Sequence, residues 1–441
     1  MRRIISAVAR DVTPSKAAQD MGRKTADEML DMVRKVTAGL PQVTDVQLGG
    51  SLAKGTWLSE DADVDIFVGF KRSVSKERFE ETARQIGFES LNGYSPYVKY
   101  SEHPYVEARV RKTRVNVVPY YDVKQGEWKS SADRSPYHTR LMKKSLTTKM
   151  RGEVRVLKAF LKANGIYGAE IARQGFSGYV AEVLVLNFKS FEGVVRNMAG
   201  IGRNTTIGRA EKKFDGMIII TDPVDGKRNL AAAISERNLG RFVLLCRAFA
   251  ARPSADFFKK RRPRVSKRLW DDMLVVSFGF RERSPDIIWG QAKRIAFSLS
   301  RQLELGGFVV LRSKAHVGEK AHLFFLLESG CIPLLYQKDG PEFFRQGSSE
   351  KFIGKNRRDL KLVWIKDDGR ITSLRERRHP DAVGFMKWFL KNNIQSDIPS
   401  GLQDDFVRGF KVSMGSGGLG KSIKEAADEL ISTDGAFLHF D

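Results

Sequence analysis

Two aspartates one residue apart, Asp63 and Asp65, head an alternating run, Asp63-Val64-Asp65-Ile66-Phe67-Val68, that reads as a β-strand. In an extended strand their carboxylates leave one face about 6–7 Å apart. Charges that close repel unless a cation sits between them. Oxygen-only donors at this spacing suit Mg²⁺, which binds one or two carboxylates together with substrate phosphates. Eleven residues separate Asp63 from Ser51, in Gly49-Gly50-Ser51-Leu52-Ala53-Lys54-Gly55-Thr56-Trp57-Leu58. The small residues make a turn after an alternating strand, Val43 to Leu48, and a helix begins at Ser51. Backbone N–H groups at such a helix start seat phosphates. Together these residues describe a metal-dependent nucleotide site.

The elements that position them follow from local pattern. Thr13-Pro14-Ser15 marks a helix start, and Ala17 to Val36 carries apolar residues at helical spacing. Lys76 to Ile86 reads as another helix. Val106–Val110 and Val115–Val118 flank the polar Arg111-Lys112-Thr113 and read as a β-hairpin closing the sheet. From Gly152 the pattern turns helical: Val154, Val156, Leu157, Phe160, Leu161 and Ala163 form a stripe that stops at Asn164-Gly165. Ser177 to Phe188 and Asn238 to Ala250 repeat it. The charge run Lys259-Lys260-Arg261-Arg262-Pro263-Arg264 marks a boundary. Beyond it, strands at 273–278, 308–312 and 322–327 with a helix near 287–303 suggest a small α+β sandwich.

The Gly-Ser turn followed by Asp-x-Asp on the next strand resembles the polymerase-β type nucleotidyltransferase signature. In the form Gly-Ser-Leu-Ala-Lys-Gly-Thr-Trp-Leu it is similar to the archaeal (class I) CCA-adding enzymes, the tRNA nucleotidyltransferases. That resemblance implies an α+β, multidomain chain. A nucleotidyltransferase catalytic domain is expected over 1–145, a helical central domain over 146–262, and a C-terminal α+β tRNA-binding region over 263–441. It also implies two Mg²⁺ ions, CTP and ATP as substrates, tRNA as partner, and a homodimer.

The family places a third carboxylate on a neighbouring strand, within a stretch like Arg114-Val115-Asn116-Val117-Val118-Pro119-Tyr120-Tyr121, with Asp where this chain has Asn116. An amide offers a carbonyl oxygen to a metal but no charge, and it cannot act as a base. With the hairpin turning at 111–113, Asn116 faces Ala108 or Arg109. Glu107 then lies on the opposite face in the first register and diagonal to Asn116 in the second. Asp122 has the right parity but lies about 20 Å along the strand unless Pro119 bends it. The position is either an engineered change or a natural variant working on two carboxylates.

Other stretches match the family in order. Glu102-His103-Pro104-Tyr105-Val106 resembles its active-site loop, placing His103 near the nucleotide. Asp133-Arg134-Ser135-Pro136-Tyr137-His138 resembles its triphosphate loop, implying phosphate contacts from Ser135 and His138. The match from Val156 to Glu170, followed by Phe176-Ser177-Gly178-Tyr179, implies that Lys158 and Tyr167 meet triphosphate and sugar. Asp222 to Asn229 resembles the loop whose arginine, here Arg228, helps read the base. Gly50, Ser51 and Lys54 complete the nucleotide-binding set, with Lys54 a cation for phosphate.

A net charge of +24 over 441 residues implies a polyanionic partner, and 41% hydrophobic content is enough for folded cores. RNA contact is expected from the 259–268 run and from Lys351, Lys355, Arg357, Arg358, Arg375, Arg377 and Arg378. Phe343, Phe344, Phe352 and Trp364 are interleaved there, to pack beneath the cations or to stack on RNA. Two distant cysteines, Cys246 and Cys331, fit a reducing cytoplasm, and no apolar run approaches membrane length. Gly415-Ser416-Gly417-Gly418-Leu419-Gly420-Lys421-Ser422 spells a Walker A loop, but too little chain follows for a P-loop sheet. Two other functions stay open: a poly(A)-polymerase-like terminal transferase, and a catalytically silent RNA-binding homologue suggested by Asn116.

Overall fold

In the computed structural model the described residues are 1–59, 63–100, 103–261, 264–356 and 362–440. Glu102, Arg262, Pro263, Arg357 and Arg358, drawn into the expectations above, lie outside them. The chain forms two compact units. One comprises 1–263 with 284–286 and 434–441, the other 264–283 with 287–433.

The first unit opens with α1 (Arg2–Val12) and α2 (Lys16–Thr37), the latter capped by Ser15, whose hydroxyl accepts from the Ala18 N–H. There follow β1 (Val43–Gly49), α3 (Gly50–Lys54), β2 (Asp63–Lys71), α4 (Lys76–Ser90), β3 (Tyr97–Tyr100), β4 (Pro104–Val110) and β5 (Thr113–Asp122). The strands make one sheet in the order β1-β2-β5-β4-β3, with β2 and β5 parallel and the other pairs antiparallel. Alternation assigns its faces. Val64, Ile66 and Val68 of β2, Val106 and Ala108 of β4 and Val115 and Val117 of β5 are buried against Ala26, Met29 and Val33 of α2 and Phe79, Ala83 and Ile86 of α4. Each large side chain so covered contributes about 1.5–3 kcal/mol. That packing leaves the opposite face, with Asp63, Asp65 and Asn116, free for chemistry.

The hairpin register differs from both expected ones. Val110 pairs with Thr113, so the turn holds only Arg111 and Lys112, and Arg111 takes a left-handed φ of 57°. Two-residue hairpins demand such angles, usually from Gly or Asn, so a bulky arginine there hides the turn. Asn116 consequently faces Glu107 itself. Pro119 does not bend the strand: it keeps its parallel pairing with Val68, and Asp122 stays at the far end opposite Lys71.

Helices α5 (Ser135–Ser145), α6 (Thr148–Ala163), α7 (Gly178–Phe188), α8 (Phe191–Ala199) and α9 (Glu236–Ala251) complete this unit, with a short parallel pair, β6 (Thr205–Ile207) and β7 (Ile218–Ile220). Phe160, Phe176, Phe191, Phe242, Phe249 and Phe257 fill their core. α7 is buried on nearly every side from Val180 to Val185, and Glu182 is the acid within that run.

The second unit contains β8 (Met273–Phe278), α10 (Pro285–Leu305), β9 (Val310–Val317), β10 (Ala321–Leu327), β11 (Leu335–Glu342), α11 (Gln346–Asn356), β12 (Leu362–Ile365), β13 (Arg370–Glu376), α12 (Ala382–Asp397), α13 (Ser400–Arg408), β14 (Phe410–Met414) and α14 (Lys421–Asp428). One sheet runs β14-β8-β10-β9, and a second, not read from the sequence, runs β11-β13-β12. β14, which leads into the Walker-like loop, is antiparallel to β8. A P-loop follows a strand of a parallel sheet, so this loop is not one. Two of the expected phosphate contacts have other work. Arg375 is buried, with its guanidinium over the Phe352 ring, and Arg377 donates to the carbonyls of Pro333 and Leu335. Cys246 is buried and Cys331 exposed, and both are free. Among the described residues no helix is long and apolar enough to cross a membrane.

Candidate active site

The strand registers place five residues in one row across the first sheet. Gly49 of β1 partners Asp65 of β2, Asp65 partners Asn116 of β5, Asn116 partners Glu107 of β4, and Glu107 partners Tyr97 of β3. One step along β2, Asp63 partners Arg114. The turn after β1 closes tightly over this row. Gly50 has φ +67°, and a Cβ there would lie 1.8 Å from Asp65 Oδ2. Backbone conformation and space therefore both require glycine at 50, and the Asp65 carboxylate is pressed against the turn that carries Ser51.

The two aspartates have different surroundings. Asp63 receives both the Nε and Nη2 hydrogens of Arg114 at 2.8 Å, a bidentate pair. Asp65 receives the Asn116 Nδ2 hydrogen, at 2.9 Å. Burial, and then the charge of Asp63, push the Asp65 carboxyl above the ordinary range, with the Asn116 hydrogen bond opposing. Because the Asn116 amide must turn its NH₂ toward a carboxylate, its carbonyl oxygen is directed away. That oxygen is buried and has no hydrogen-bond partner among the described residues. Two carboxylates and an unpartnered carbonyl oxygen are a hard, oxygen-only donor set, which fits Mg²⁺. No group of three His, Cys, Asp or Glu side chains converges among the described residues.

Glu107 completes the row. It accepts from the Tyr97 hydroxyl and, at 2.9 Å, from Lys99 Nζ. Burial works against its charge, but the bonds from Lys99 and Tyr97 hold its carboxyl below the usual value.

A second cluster lies behind the turn. Glu182 of α7, fully buried, accepts from Lys54 Nζ at 2.7 Å and from Thr56 Oγ1 at 2.6 Å. Lys158 of α6 donates to the Thr56 carbonyl at 3.0 Å and lies 3.6 Å from Glu182. Burial lowers Lys158 to about 8, with Glu182 opposing. Glu182 stays below its ordinary value because Lys54, then Lys158, outweigh its burial. Tyr167 adjoins this cluster: its hydroxyl and Lys158 Nζ both close on Gly178.

The remaining expected residues meet elsewhere on the same face. His103, Ser135, His138 and Arg228 line one cleft of about 330 Å³, with Tyr105 and Val118 at its sheet side. Those two stand two residues from Glu107 and Asn116, hence on the face that carries them. Asp222 organises the cleft. It accepts from Tyr179 at 2.9 Å and Arg228 at 3.3 Å and bonds His138 Nε2 at 2.9 Å, while the His138 ring stacks on Tyr179. Burial opposes the Asp222 charge, yet these bonds, the His138 one foremost, bring its carboxyl down, and burial likewise lowers His138. His103 packs edge-on against the stacked rings of Phe79 and Tyr121, with Nδ1 3.9 Å from Glu80, and its ring nitrogens have no hydrogen-bond partner among the described residues.

The chain matches known proteins over most of its length. Residues 30–138 match the family model of the nucleotidyltransferase domain, 152–259 that of the tRNA nucleotidyltransferase second domain, and 272–415 that of the CCA-adding enzyme C-terminal domain. A CCA-adding enzyme of Sulfurisphaera tokodaii is 36% identical over 377 residues, 84% of this chain and 88% of that one. One of Saccharolobus solfataricus is 33% identical over 86% of this chain and 90% of its own. The chain belongs to the archaeal CCA-adding enzymes. It is thus a nucleotidyltransferase. Glu182 and Asp222 were not assigned roles from sequence. Glu182 did carry a signal, as a lone acid inside an apolar helical run.

Proposed function

We propose that the protein adds or repairs the 3′-terminal CCA of tRNA from CTP and ATP, without a nucleic-acid template. The observation that carries this reading is the shared face: the Asp63–Asp65 pair and the cleft lined by His103, Ser135, His138 and Arg228 open on one side of one sheet. In transfer, the tRNA 3′ oxygen bonds to the α-phosphorus and pyrophosphate leaves. Asp63, Asp65 and the free carbonyl oxygen of Asn116 would hold Mg²⁺, in two ions. The chemistry such ions supply is activation of the 3′ hydroxyl and neutralisation of the leaving group.

The chain's own residues do the positioning. Gly50 and Ser51 bring backbone N–H groups to the phosphates. Lys54 and Lys158 place positive charge beneath the turn, held there by Glu182, and Tyr167 borders the same cluster. Ser135 and His138 face the triphosphate. Arg228, braced by Asp222, meets the base, with His103 at the cleft wall. Residues 1–145 act as the catalytic part, 146–262 as the helical part that completes the nucleotide site, and 263–441 as a tRNA-binding region. We place the protein in the cytoplasm, in keeping with its free cysteines, and expect a homodimer, which a solution mass measurement checks.

The deciding experiment incubates tRNA lacking its 3′ end with labelled CTP, ATP and Mg²⁺. Stepwise addition of three nucleotides is expected. A long homopolymer from ATP alone would replace this reading with a poly(A)-polymerase-like one, and no addition would leave an RNA-binding homologue.

A further inference from the structure

We propose that Glu107 supplies the third negative charge of the catalytic site, in place of the acid missing at 116, with Asn116 acting as a neutral oxygen donor between Asp65 and Glu107. This deepens the function proposed above and rests on the reading of Asp63 and Asp65 as the metal-binding pair.

The argument starts from register. Asp65, Asn116 and Glu107 are consecutive partners across β2, β5 and β4, so all three leave the same face of the sheet in one row. Glu107 stands one strand beyond the position at which an acid is absent, and glutamate is one methylene longer than aspartate. From Asp65 to Glu107 the backbones are two strand spacings apart, roughly 10 Å. An aspartate and a glutamate side chain reaching toward each other, with two metal–oxygen bonds of about 2.1 Å between them, span that distance. Asn116 lies beneath the span with its carbonyl oxygen unpartnered.

Glu107 is held on its β3 side by the Tyr97 hydroxyl and by Lys99, so a swing toward Asn116 exchanges both bonds for the metal. Its cationic partner, Lys99, has a side chain 40% exposed, just as the partner of Asp63, Arg114, is 48% exposed. Asp63 and Glu107, on either side of Asp65, are each matched by a long, solvent-reaching cation that can swing away when a stronger charge arrives. Asp65 receives the Asn116 amide hydrogen. Six charged groups face this patch from the four strands that carry it: Asp63 and Asp65 on β2, Lys99 on β3, Glu107 and Arg109 on β4, and Arg114 on β5. Of the three acids among them, only Glu107 lies across the sheet from the aspartate pair.

The test uses the full-length protein and Mn²⁺ as probe, with free Mn²⁺ followed by electron paramagnetic resonance at physiological salt. Glu107→Gln is expected to weaken Mn²⁺ binding at least tenfold while leaving the melting curve cooperative. A carboxylate that stayed at Lys99, about 10 Å off, would contribute less than about fourfold through water. Lys99→Met, which frees Glu107, is expected to tighten binding. Glu107→Gln combined with Asn116→Asp is expected to restore both Mn²⁺ affinity and nucleotide addition. A fourfold or smaller loss in Glu107→Gln, or failure of the double variant to recover affinity, overturns the proposal. Asp65→Asn separates the two readings. If it abolishes Mn²⁺ binding while Glu107→Gln does not weaken it, only the role of Glu107 fails. If Asp65→Asn leaves binding intact, the metal-site reading itself fails.

Discussion

Asn116 donates one amide hydrogen to Asp65 at 2.9 Å and turns a buried, unpartnered carbonyl oxygen away from it. The amide thus does two things that an acid there cannot do together: it offsets the repulsion around Asp65, and it presents a neutral ligand. Asn116→Asp removes the donor and adds a charge beside a carboxylate already destabilised by burial. In EDTA the variant is expected to lose about 1.5–3 kcal/mol, the size of a hydrogen bond to a charged group, and Mg²⁺ should return more stability to it than to the parent. Its nucleotide addition should reach half-maximal rate at lower Mg²⁺. Melting curves with and without Mg²⁺, and rates across a Mg²⁺ series, check both effects; an unchanged Mg²⁺ requirement would count against the missing-ligand account.

Asp65→Asn separates activity from stability. The Asp65 carboxyl is held above its ordinary value, by burial first. A carboxyl raised in the folded state binds its proton more tightly there than in the unfolded chain. Stability from this group is therefore greatest below the unfolded value, near 3.9, and falls as pH rises through the folded value. At pH 7 and without metal, the variant should melt higher than the parent, and the advantage should vanish as pH drops below about 4. Nucleotide addition should fall by about three orders of magnitude or more, since an anchoring charge is gone. Equal melting temperatures at pH 7 would show that Asp65 bears no burial penalty.

Glu182 holds two buried lysines, Lys54 at 2.7 Å and Lys158 at 3.6 Å. Removing one partner of a buried pair strands the other charge and costs about 3–5 kcal/mol. Glu182→Gln is expected to lower the melting temperature by roughly 6–20 degrees or to prevent folding. Glu182→Gln with Lys158→Met, which removes one of the stranded charges, should recover part of the loss. Additive losses in the double variant would mean that the three groups are not coupled.

Much of this site was legible in the residues because its chemistry is local. The Gly-Ser turn and Asp63-Val64-Asp65 are contiguous, and period-two burial fixed which face they share. Register was not legible, because a two-residue turn requires a positive φ and Arg111 is not a residue that announces one. The Glu182 cluster was hidden for another reason: Lys54 comes from 128 residues away, and only tertiary packing of α7 against the turn joins them. The β11-β13-β12 sheet escaped notice because β12 is exposed along its whole length. Its four residues, Leu362-Val363-Trp364-Ile365, are apolar without alternation and stand between charged stretches, so they carry no period-two signal.

Asp222 braces the cleft proposed for the nucleotide without lining it, through Tyr179, His138 and Arg228. Asp222→Asn removes the charge that orients Arg228 and His138. The KM for both CTP and ATP should rise ten- to a hundredfold, in line with about 1.5–3 kcal/mol for hydrogen bonds to a charged group. Tyr179→Phe, which loses one neutral donor and keeps the ring under His138, should cost about tenfold or less. Steady-state rates with each nucleotide check this, and a change in kcat alone would place Asp222 outside nucleotide binding.

The basic surface makes a prediction that distinguishes its arginines and lysines. A protein of net charge +24 that binds tRNA through phosphates should lose affinity steeply as salt rises, because each neutralised phosphate releases counterions. Exposed cations contribute to that slope and buried ones do not. Lys351 is exposed on α11, so Lys351→Gln should weaken tRNA binding and reduce the magnitude of the salt slope by about one, without moving the melting temperature. Arg375 is buried beside Phe352, and Arg377 spends its hydrogens on two backbone carbonyls. Arg375→Gln and Arg377→Gln should instead lower the stability of the second unit and leave the slope unchanged at temperatures where it stays folded. Binding isotherms over a salt series, paired with melting curves, read both quantities. A flat salt response in the parent would remove phosphate contact as the source of affinity, and equal slopes for Lys351→Gln and the parent would remove α11 from the tRNA surface.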